Sequence, residues 1–350
     1  MHLPLYFLGV AVGVVILAKS ADWFTDAGVS IARRLNVPEI IIGATLVSLA
    51  TTLPEFSVSV TAALAHQVEM AVGNAVGSTI CNIGLILGLC TVLAPMGVER
   101  KGFLRSGVGL LVLCLLFAFM GWAFPEGTRW TGAVLLACLV IYFVTTLRST
   151  SVQRANIAAG ARTVRAPAYQ TMLERIAAES RADGVEGAAP DAEMTGARIA
   201  AYFMLGSAGV VWGSSLVVFC AEQLALAAGI SKQVIALTLV AFGTSMPELV
   251  VSLTAIAKKQ RGLSIGNIIG ANILNLAWVL GVSSIIAVIP FDAQSLYFDI
   301  PVMLFITLLL LVFGATGKKL SRWEGMVLMM VYAAYLAVLF TVYRAPAAAL

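Results

Sequence analysis

The sequence predicts an all-α polytopic membrane protein, with ten transmembrane helices arranged as two inverted five-helix repeats. Three observations carry that reading: a composition too apolar for a water-soluble surface, ten separate apolar runs of bilayer length, and a pair of motifs that recurs at a fixed offset in the two halves. Of the 350 residues, 60% are hydrophobic and 11% charged, against about 45–50% and 25% in a soluble globular protein. Mean hydropathy is +0.96. So few charges cannot coat a soluble domain, which excludes cytosolic enzymes, nucleic-acid binders and disordered chains. The net charge of +4 is small and dispersed, and points to no polyanionic partner.

A bilayer core about 30 Å thick takes about 20 residues of helix. Ten runs meet that length: 4–34, 38–65, 70–94, 103–124, 130–147, 198–228, 232–257, 263–289, 298–315 and 323–342. Residues 1–148 then form a first five-helix half, 149–196 a linker and 197–350 a second half. The start Met1-His2-Leu3 lacks a basic n-region, so the first run is expected to be a retained span and not a cleaved signal. It carries Lys19, Asp22 and Asp26 in its second half and reads as a long helix reaching into the interface, with Lys19 the expected partner of Asp22. A solvated face or an ion entrance suits those two aspartates better than coordination. The linker is rich in Ala, Gly, Arg and Glu and holds Pro167 and Pro190; Tyr169 to Ser180 suits a short amphipathic helix. The five cysteines, Cys81, Cys90, Cys114, Cys138 and Cys220, all lie inside apolar runs without CxxC spacing, as packing thiols do.

Basic residues orient the chain, because cytoplasmic loops are enriched in Lys and Arg. Alternate loops divide them 18 against 3, with Lys19 inside the first span. The rich set includes Arg33 and Arg34, Arg100 to Arg105, the arginines from Arg148 to Arg198, Lys258 to Arg261, and Lys318 to Arg322. The poor set is Arg129, Lys232 and Arg344. Both termini are therefore expected outside and the 149–196 linker in the cytoplasm.

The two halves share a motif. ATLVSLATTLPE, ending at Glu55, and LTLVAFGTSMPE, ending at Glu248, lie 193 positions apart. The same offset pairs Gly73-Asn74 with Gly266-Asn267, Gly77 with Gly270, Asn82 with Asn275 and Gly88 with Gly281. Chance similarity between hydrophobic helices shares Leu, Val and Ala; it does not share Thr-x-x-Pro-Glu and Gly-Asn-x-x-Gly in register. The tip of the first hairpin, His66 to Glu69, has no Lys or Arg and is expected outside; the tip of the second, Lys258 to Arg261, is basic and expected inside. Five spans precede the linker, an odd number, so the second half is inverted. Inverted repeats with interrupted helices at matching positions mark secondary transporters, with the binding site between them at mid-membrane.

Glu55 and Glu248 fall about halfway along their spans. A charged side chain at that depth costs about 2.5–3.5 kcal/mol on insertion scales, and no Lys, Arg or His lies centrally in the second, third, seventh or eighth span to pair with them. They must be protonated, hydrated or neutralised by a bound cation; two carboxylates match one divalent or two monovalent ions. Pro54 and Pro247 each remove an N–H and crowd a carbonyl, which frees Ala50 and Thr51 in one copy and Gly243 and Thr244 in the other. Backbone oxygens are tolerated unpaired at that depth only against a cavity or an ion. The hydroxyls of Thr51, Thr52, Thr244 and Ser245 sit on the same turns, and Ser78, Asn82 and Asn275 lie on the partner helices. This is a hard-oxygen set, suited to calcium or sodium and poorly suited to copper or zinc. Gly73, Gly77, Gly266 and Gly270 form small-xxx-small pairs that permit close helix approach. No nucleophile–base pair or His/Cys metal set lies at depth, so an intramembrane enzyme is not expected and no cofactor is implied.

TTLPE with GNAVGSTICN, and GTSMPE with GNIIGANILN, resemble the two alpha repeats of sodium/calcium exchangers in the cation/calcium exchanger superfamily. The resemblance implies ten helices in two inverted halves, a cluster of cation sites, and alternating access by sliding of the first and sixth helices past the rest. It implies that Glu55 and Glu248 bind calcium and, alternately, sodium, with backbone oxygens of Thr51 and Thr244. Thr52, Ser78 and Asn82, with Ser245 and Asn275, would complete the cluster, and Ser48 and Ala241 would offer carbonyls to flanking sodium sites. Two positions depart from the pattern: Ala271 where members often carry serine, and Asn275 where some carry aspartate. The linker is too short for paired calcium-sensing domains, which implies a prokaryotic, unregulated form in the cell (inner) membrane. Its partners are then the two transported ions and membrane lipid, with no oligomeric state indicated.

Two rival readings keep the site and change the transport. Protons could replace sodium, since the glutamates could titrate; the proton-coupled branch, however, usually carries an extra acid in its Gly-Asn-Ala motif, and Gly73-Asn74-Ala75-Val76-Gly77 has none. A cation channel could also be lined by proline-broken helices, although a pair of closed oxygen cages suits occlusion better.

Overall fold

The computed structural model describes residues 3–35, 37–66, 68–98, 100–163, 194–227, 241–317 and 319–342. The described chain is helical, with eight helices long and apolar enough to cross a bilayer, or nine when a bent pair is taken as one span. Nine of the ten expected spans are matched in this way. The remaining one, 232–257, begins outside the described residues, which resume with short helices α10 (Ala241–Thr244) and α11 (Met246–Ala257). The linker prolines, the segment Tyr169 to Ser180, Lys232, Lys318 and Arg344 also lie outside them.

The first half opens with α1 (Leu3–Arg34), a single 32-residue helix. The second span is broken. It runs through α2 (Glu39–Ile42), a π-helical turn at Gly43–Val47 and α3 (Ser48–Thr51), then bends by 47° into α4 (Leu53–Leu64). The bend falls where Pro54 occupies the first turn of α4, the one place in a helix that tolerates a missing N–H. A tight turn leads to α5 (Val68–Cys81), a π-helical turn at Asn82–Leu87 and α6 (Gly88–Leu93). Next come β1 (Met96–Gly97), α7 (Arg100–Ala123) and α8 (Arg129–Thr163). Helix α8 runs past 147, where the apolar span was expected to end, because Ala, Arg and Gln continue it and the first proline is Pro167.

The second half repeats the order. α9 (Gly196–Ala227) is followed by α10 and α11, then α12 (Arg261–Leu274), a π-helical turn at Asn275–Val279 and α13 (Leu280–Ile286). A further π-helical turn, Ser295–Asp299, leads into α14 (Ile300–Thr316); β2 (Lys319–Leu320) and α15 (Arg322–Thr341) complete it. The two hairpin tips turn alike. His66 (φ 58°) and Lys259 (φ 61°), 193 positions apart, are the two non-glycine residues with left-handed backbone among those described. The π-helical turns starting at Asn82 and Asn275 share the same offset.

Burial places α5–α6 and α12–α13 at the centre, with 72% and 83% of their most apolar stretches inside the protein, against 17% for α1 and α15. Helix α12 crosses the α2–α3 segment closely. A Cβ on Gly266 would stand 2.2 Å from the Ile40 carbonyl oxygen, and one on Gly270 2.5 Å from Ala44 Cα, so only glycine allows this approach. By the offset, Gly73 and Gly77 would meet Gln233 and Leu237, which lie outside the described residues. α1 packs along α9, again across glycine, with Gly206 against Phe24 and Gly213 against Leu17. Outward-facing side chains are apolar and aromatic, among them Trp122 (72% exposed), Trp130 (78%) and Tyr297 (74%). The five cysteines stand as free thiols, four of them buried.

One contact differs from expectation. Lys19 does not pair with Asp22; its ammonium lies 5.8 Å from the centre of the Trp23 ring. Lys258, on the α11–α12 tip, takes the aspartates instead, at 3.1 Å from Asp22 and 2.7 Å from Asp26. Neighbours in sequence lost to a cation brought in by tertiary packing, whose ammonium also donates to the Asp22 carbonyl at 3.0 Å.

Candidate functional site

The break in the second span is bracketed by ordinary helical bonds: Thr52 N–H donates to Ser48 O at 2.9 Å, and Phe56 N–H to Thr52 O at 3.0 Å. Between them the carbonyls of Ala50 and Thr51 receive no backbone donor among the described residues. In the second copy the helix resumes with Leu249 N–H donating to Ser245 O at 3.1 Å. Glu55 and Glu248 thereby occupy the first turns of α4 and α11. The positive end of a helix favours a carboxylate there by about 0.3–1 kcal/mol, less than the several kcal/mol that burying one charged group costs.

Both carboxylates are completely buried, and they lie close enough to repel each other. Each is served by hydroxyls from the opposite repeat. Ser245 Oγ donates to Glu55 Oε1 at 3.2 Å, and Thr244 also faces that carboxylate. Thr51 and Thr52 face Glu248 without closing a hydrogen bond. Among the described residues no Lys, Arg or His stands against either one.

Several buried polar atoms on these and the partner helices have no hydrogen-bond partner among the described residues: Thr52 Oγ1, Glu55 Oε2, both carboxylate oxygens of Glu248, Asn82 Oδ1, Asn272 Nδ2 and both amide atoms of Asn275. A buried polar atom left unpaired costs about 1–3 kcal/mol. The acceptor oxygens among them, those of the two carboxylates above all, describe a site prepared for something that supplies positive charge. Ser78 Oγ lies 3.5 Å from Thr244 Oγ1, and Asn82 Nδ2 donates to Asn272 Oδ1 at 2.9 Å, both contacts crossing between repeats. The structure thus gathers Glu55, Glu248, Thr51, Thr52, Thr244, Ser245 and Ser78, while Asn82 is buried against Asn272 and Asn275 is buried at the head of its π-helical turn. Ser48 is buried beside them, with its carbonyl accepting from Thr52 N–H at 2.9 Å and lying 3.3 Å from Thr51 Oγ1. Ala241 opens α10, and the chain before it lies outside the described residues.

Three participants escaped sequence reasoning. Asn272, opposite Asn82, replaces the threonine of the other copy (Thr79) and so gave no repeat signal. Asn74 and Asn267 were visible as the Asn of Gly-Asn-x-x-Gly, and each reaches into the site: Asn74 Nδ2 donates to the Glu55 carbonyl at 3.1 Å, and Asn267 Oδ1 accepts from Thr51 Oγ1 at 3.2 Å. Among the described residues no three His, Cys, Asp or Glu side chains converge on one point.

Known proteins resemble this chain over nearly its whole length. The family model described as sodium/calcium exchanger protein matches residues 5–148 and 198–341, one stretch on each side of the linker. "Sodium/calcium exchanger MaX1" of Methanosarcina acetivorans is 34% identical over 361 residues, covering 95% of this chain and 98% of its own. "Putative antiporter CaxA" of Alkalimonas amylolytica is 36% identical over 335 residues, covering 95% and 98%. The solved structure of the sodium-calcium exchanger NCX_Mj soaked with zero Na+ and Ca2+ superposes with a TM-score of 0.76 at 31% identity, across 96% of this chain and 99% of that one. With both halves matched and relatives aligned nearly end to end, the chain belongs to the sodium/calcium exchanger family of membrane transporters.

Proposed function

We propose that this chain is a secondary active antiporter that exchanges calcium for sodium across the membrane by alternating access, with Glu55 and Glu248 as ligands shared by the two ions at mid-membrane. One observation carries the reading: two fully buried carboxylates, from two copies of one motif, face each other's hydroxyls with no Lys, Arg or His against them among the described residues. Calcium cancels their charge in one step and two sodium ions do the same, so the ions compete for one set of oxygens. That competition is what couples the fluxes. Backbone oxygens of Thr51 and Thr244 and side chains of Thr52, Ser245, Ser78, Asn82 and Asn275 complete the hard-oxygen set, with Ser48 and Ala241 at its margins. Pro54 and Pro247 break the helices, and Gly73, Gly77, Gly266 and Gly270 bring the partner helices close.

The reading includes ten transmembrane helices in two inverted halves, 1–148 and 197–350, joined by the cytoplasmic linker 149–196. Contacts between loops support this sidedness. The segments assigned to the cytoplasm meet one another, as β1 pairs with β2 and Lys258 holds Asp22 and Asp26. Those assigned outside also meet, as Phe291 N–H donates to the Pro125 carbonyl at 2.8 Å. Both termini then face outward in a multi-pass protein of the cell (inner) membrane. The close packing of α1 along α9 supports their movement as a pair.

The test is flux of radiolabelled calcium in proteoliposomes. An imposed sodium gradient is expected to drive uptake, and a pH jump without sodium to drive none. Uptake driven by the pH jump alone would assign the coupling to protons, and single-channel currents in a planar bilayer would replace exchange by conduction.

A further inference from the structure

We infer that Asn74 and Asn267 are positioning residues of the exchange site: each holds the hydroxyl hydrogen of the opposite repeat's threonine, so that Thr244 and Thr51 present oxygen lone pairs to the cation. The inference rests on the exchange reading and goes beyond it, because it assigns a role to groups that are not themselves ligands.

The amide orientation follows from its partners. Asn74 Nδ2 lies 3.1 Å from the Glu55 backbone carbonyl and 2.9 Å from Ser59 Oγ. A carbonyl oxygen only accepts, so the NH2 must stand on that side and Oδ1 must face away. There it accepts from Thr244 Oγ1 at 3.3 Å. The second copy repeats the chain of bonds. Asn267 Nδ2 donates to Ser252 Oγ at 3.3 Å, and Thr51 Oγ1 donates to Asn267 Oδ1 at 3.2 Å. All six residues obey the 193-position offset, yet each asparagine reaches the threonine of the other repeat.

A threonine hydroxyl has one hydrogen and two lone pairs. Thr51 faces the Glu248 carboxylate and Thr244 that of Glu55. Left to itself, each hydroxyl would give its hydrogen to the carboxylate, because a charge-assisted bond is the stronger one. That arrangement would satisfy the acid and turn a positive end toward any arriving cation. An amide oxygen that takes the hydrogen reverses both effects: carboxylate and hydroxyl oxygens then face each other and need a cation between them. The Ser48 carbonyl, 3.3 Å from Thr51 Oγ1 on the same helix turn, competes for that single hydrogen at the longer distance, so the amide decides where it points.

The test is a set of double-mutant cycles on the full chain in detergent, read as calcium affinity by isothermal titration in sodium-free choline buffer. Asn267→Ala and Thr51→Val are each expected to weaken calcium binding about tenfold, and the double variant no more than either alone, since the second change removes a hydroxyl already misdirected. Asn267→Ala combined with Thr244→Val, which belong to different chains of bonds, is expected to multiply to about a hundredfold. Calcium affinity within twofold of wild type in Asn267→Ala, or losses that multiply with Thr51→Val as they do with Thr244→Val, would overturn the inference. Where Asn267→Ala does not yield monodisperse protein, Ser252→Ala decides the same point. It only loosens the amide, so a loss of about threefold is expected, and that loss should vanish in the Thr51→Val background. A wild-type protein that binds no calcium would defeat the exchange reading itself; calcium binding with independent variants would defeat only the positioning role.

Discussion

Ser245 of the second repeat donates its hydroxyl hydrogen to Glu55 of the first at 3.2 Å, whereas Thr52, which occupies the matching position in the first repeat, closes no such bond to Glu248. The pseudo-symmetric site is therefore uneven: among the described residues Glu55 has a hydroxyl donor and Glu248 has none. A hydrogen bond to a charged group contributes about 1.5–3 kcal/mol. In calcium-free and sodium-free buffer, Ser245→Ala is expected to lower the melting temperature, and Thr52→Val to leave it close to wild type. Equal shifts in scanning fluorimetry would contradict the asymmetry.

Replacing the acids themselves separates their cost to the empty protein from their use to the loaded one. Two buried carboxyl groups with no protein cation against them among the described residues cost the empty protein either mutual repulsion or the uptake of a proton, so Glu55→Gln and Glu248→Gln are each expected to raise the melting temperature of cation-free protein. The same variants are expected to abolish sodium-driven calcium flux and to lose the stabilisation that calcium gives to wild type, which at a hundred times Kd amounts to about 2.7 kcal/mol. Wild-type flux in both variants would remove the glutamates from the mechanism. Such opposite movement of empty-state stability and transport is the signature of a site held open at a cost.

Much of this was legible because membrane burial makes polar residues conspicuous. Glu55 and Glu248 stand out in apolar spans, and duplication in register added Pro, Thr and Asn to them. The bend at Pro54 followed from the missing N–H alone. What stayed hidden depends on side chains meeting across the fold. Asn272 has no counterpart asparagine at position 79, so repeat logic passed over it although it bonds to Asn82. The π-helical turns at Asn82–Leu87 and Asn275–Val279 carry no composition signal, being one inserted residue in an otherwise apolar helix. The partner of Asp22 and Asp26 lay 232 residues beyond Asp26, out of reach of any local rule.

That partner gives a prediction of its own. Lys258 is 27% exposed and the aspartates 45%, so the tie between α1 and the α11–α12 tip sits in screened surroundings and contributes about 1 kcal/mol or less. Lys258→Met is expected to lower thermal stability by a small amount at low ionic strength and by nothing measurable in molar salt, where the Debye length falls to about 3 Å. Lys19→Met, which removes the sequence-adjacent cation, is expected to show no such salt dependence. A salt-dependent loss in Lys19→Met and none in Lys258→Met would restore the local pairing.

The last asymmetry concerns sodium. Ser78 places its hydroxyl 3.5 Å from Thr244 Oγ1, and the residue that would do the same for Thr51 is Ala271, completely buried and without an oxygen to offer. One flank of the site therefore has one hydroxyl fewer than the other. Calcium, drawn chiefly by the two carboxylates, should notice this little; a monovalent ion on the deficient flank should notice it most, because neutral oxygens supply a larger share of its coordination. Ala271→Ser restores the missing hydroxyl with a single added atom, at a packing cost of about 1–3 kcal/mol if the neighbours cannot shift. The variant is expected to steepen the dependence of calcium efflux on sodium concentration while changing calcium affinity by less than about threefold. An unchanged Hill slope, measured beside wild type in the same vesicles, would show that the flank facing Thr51 holds no sodium ion during the cycle.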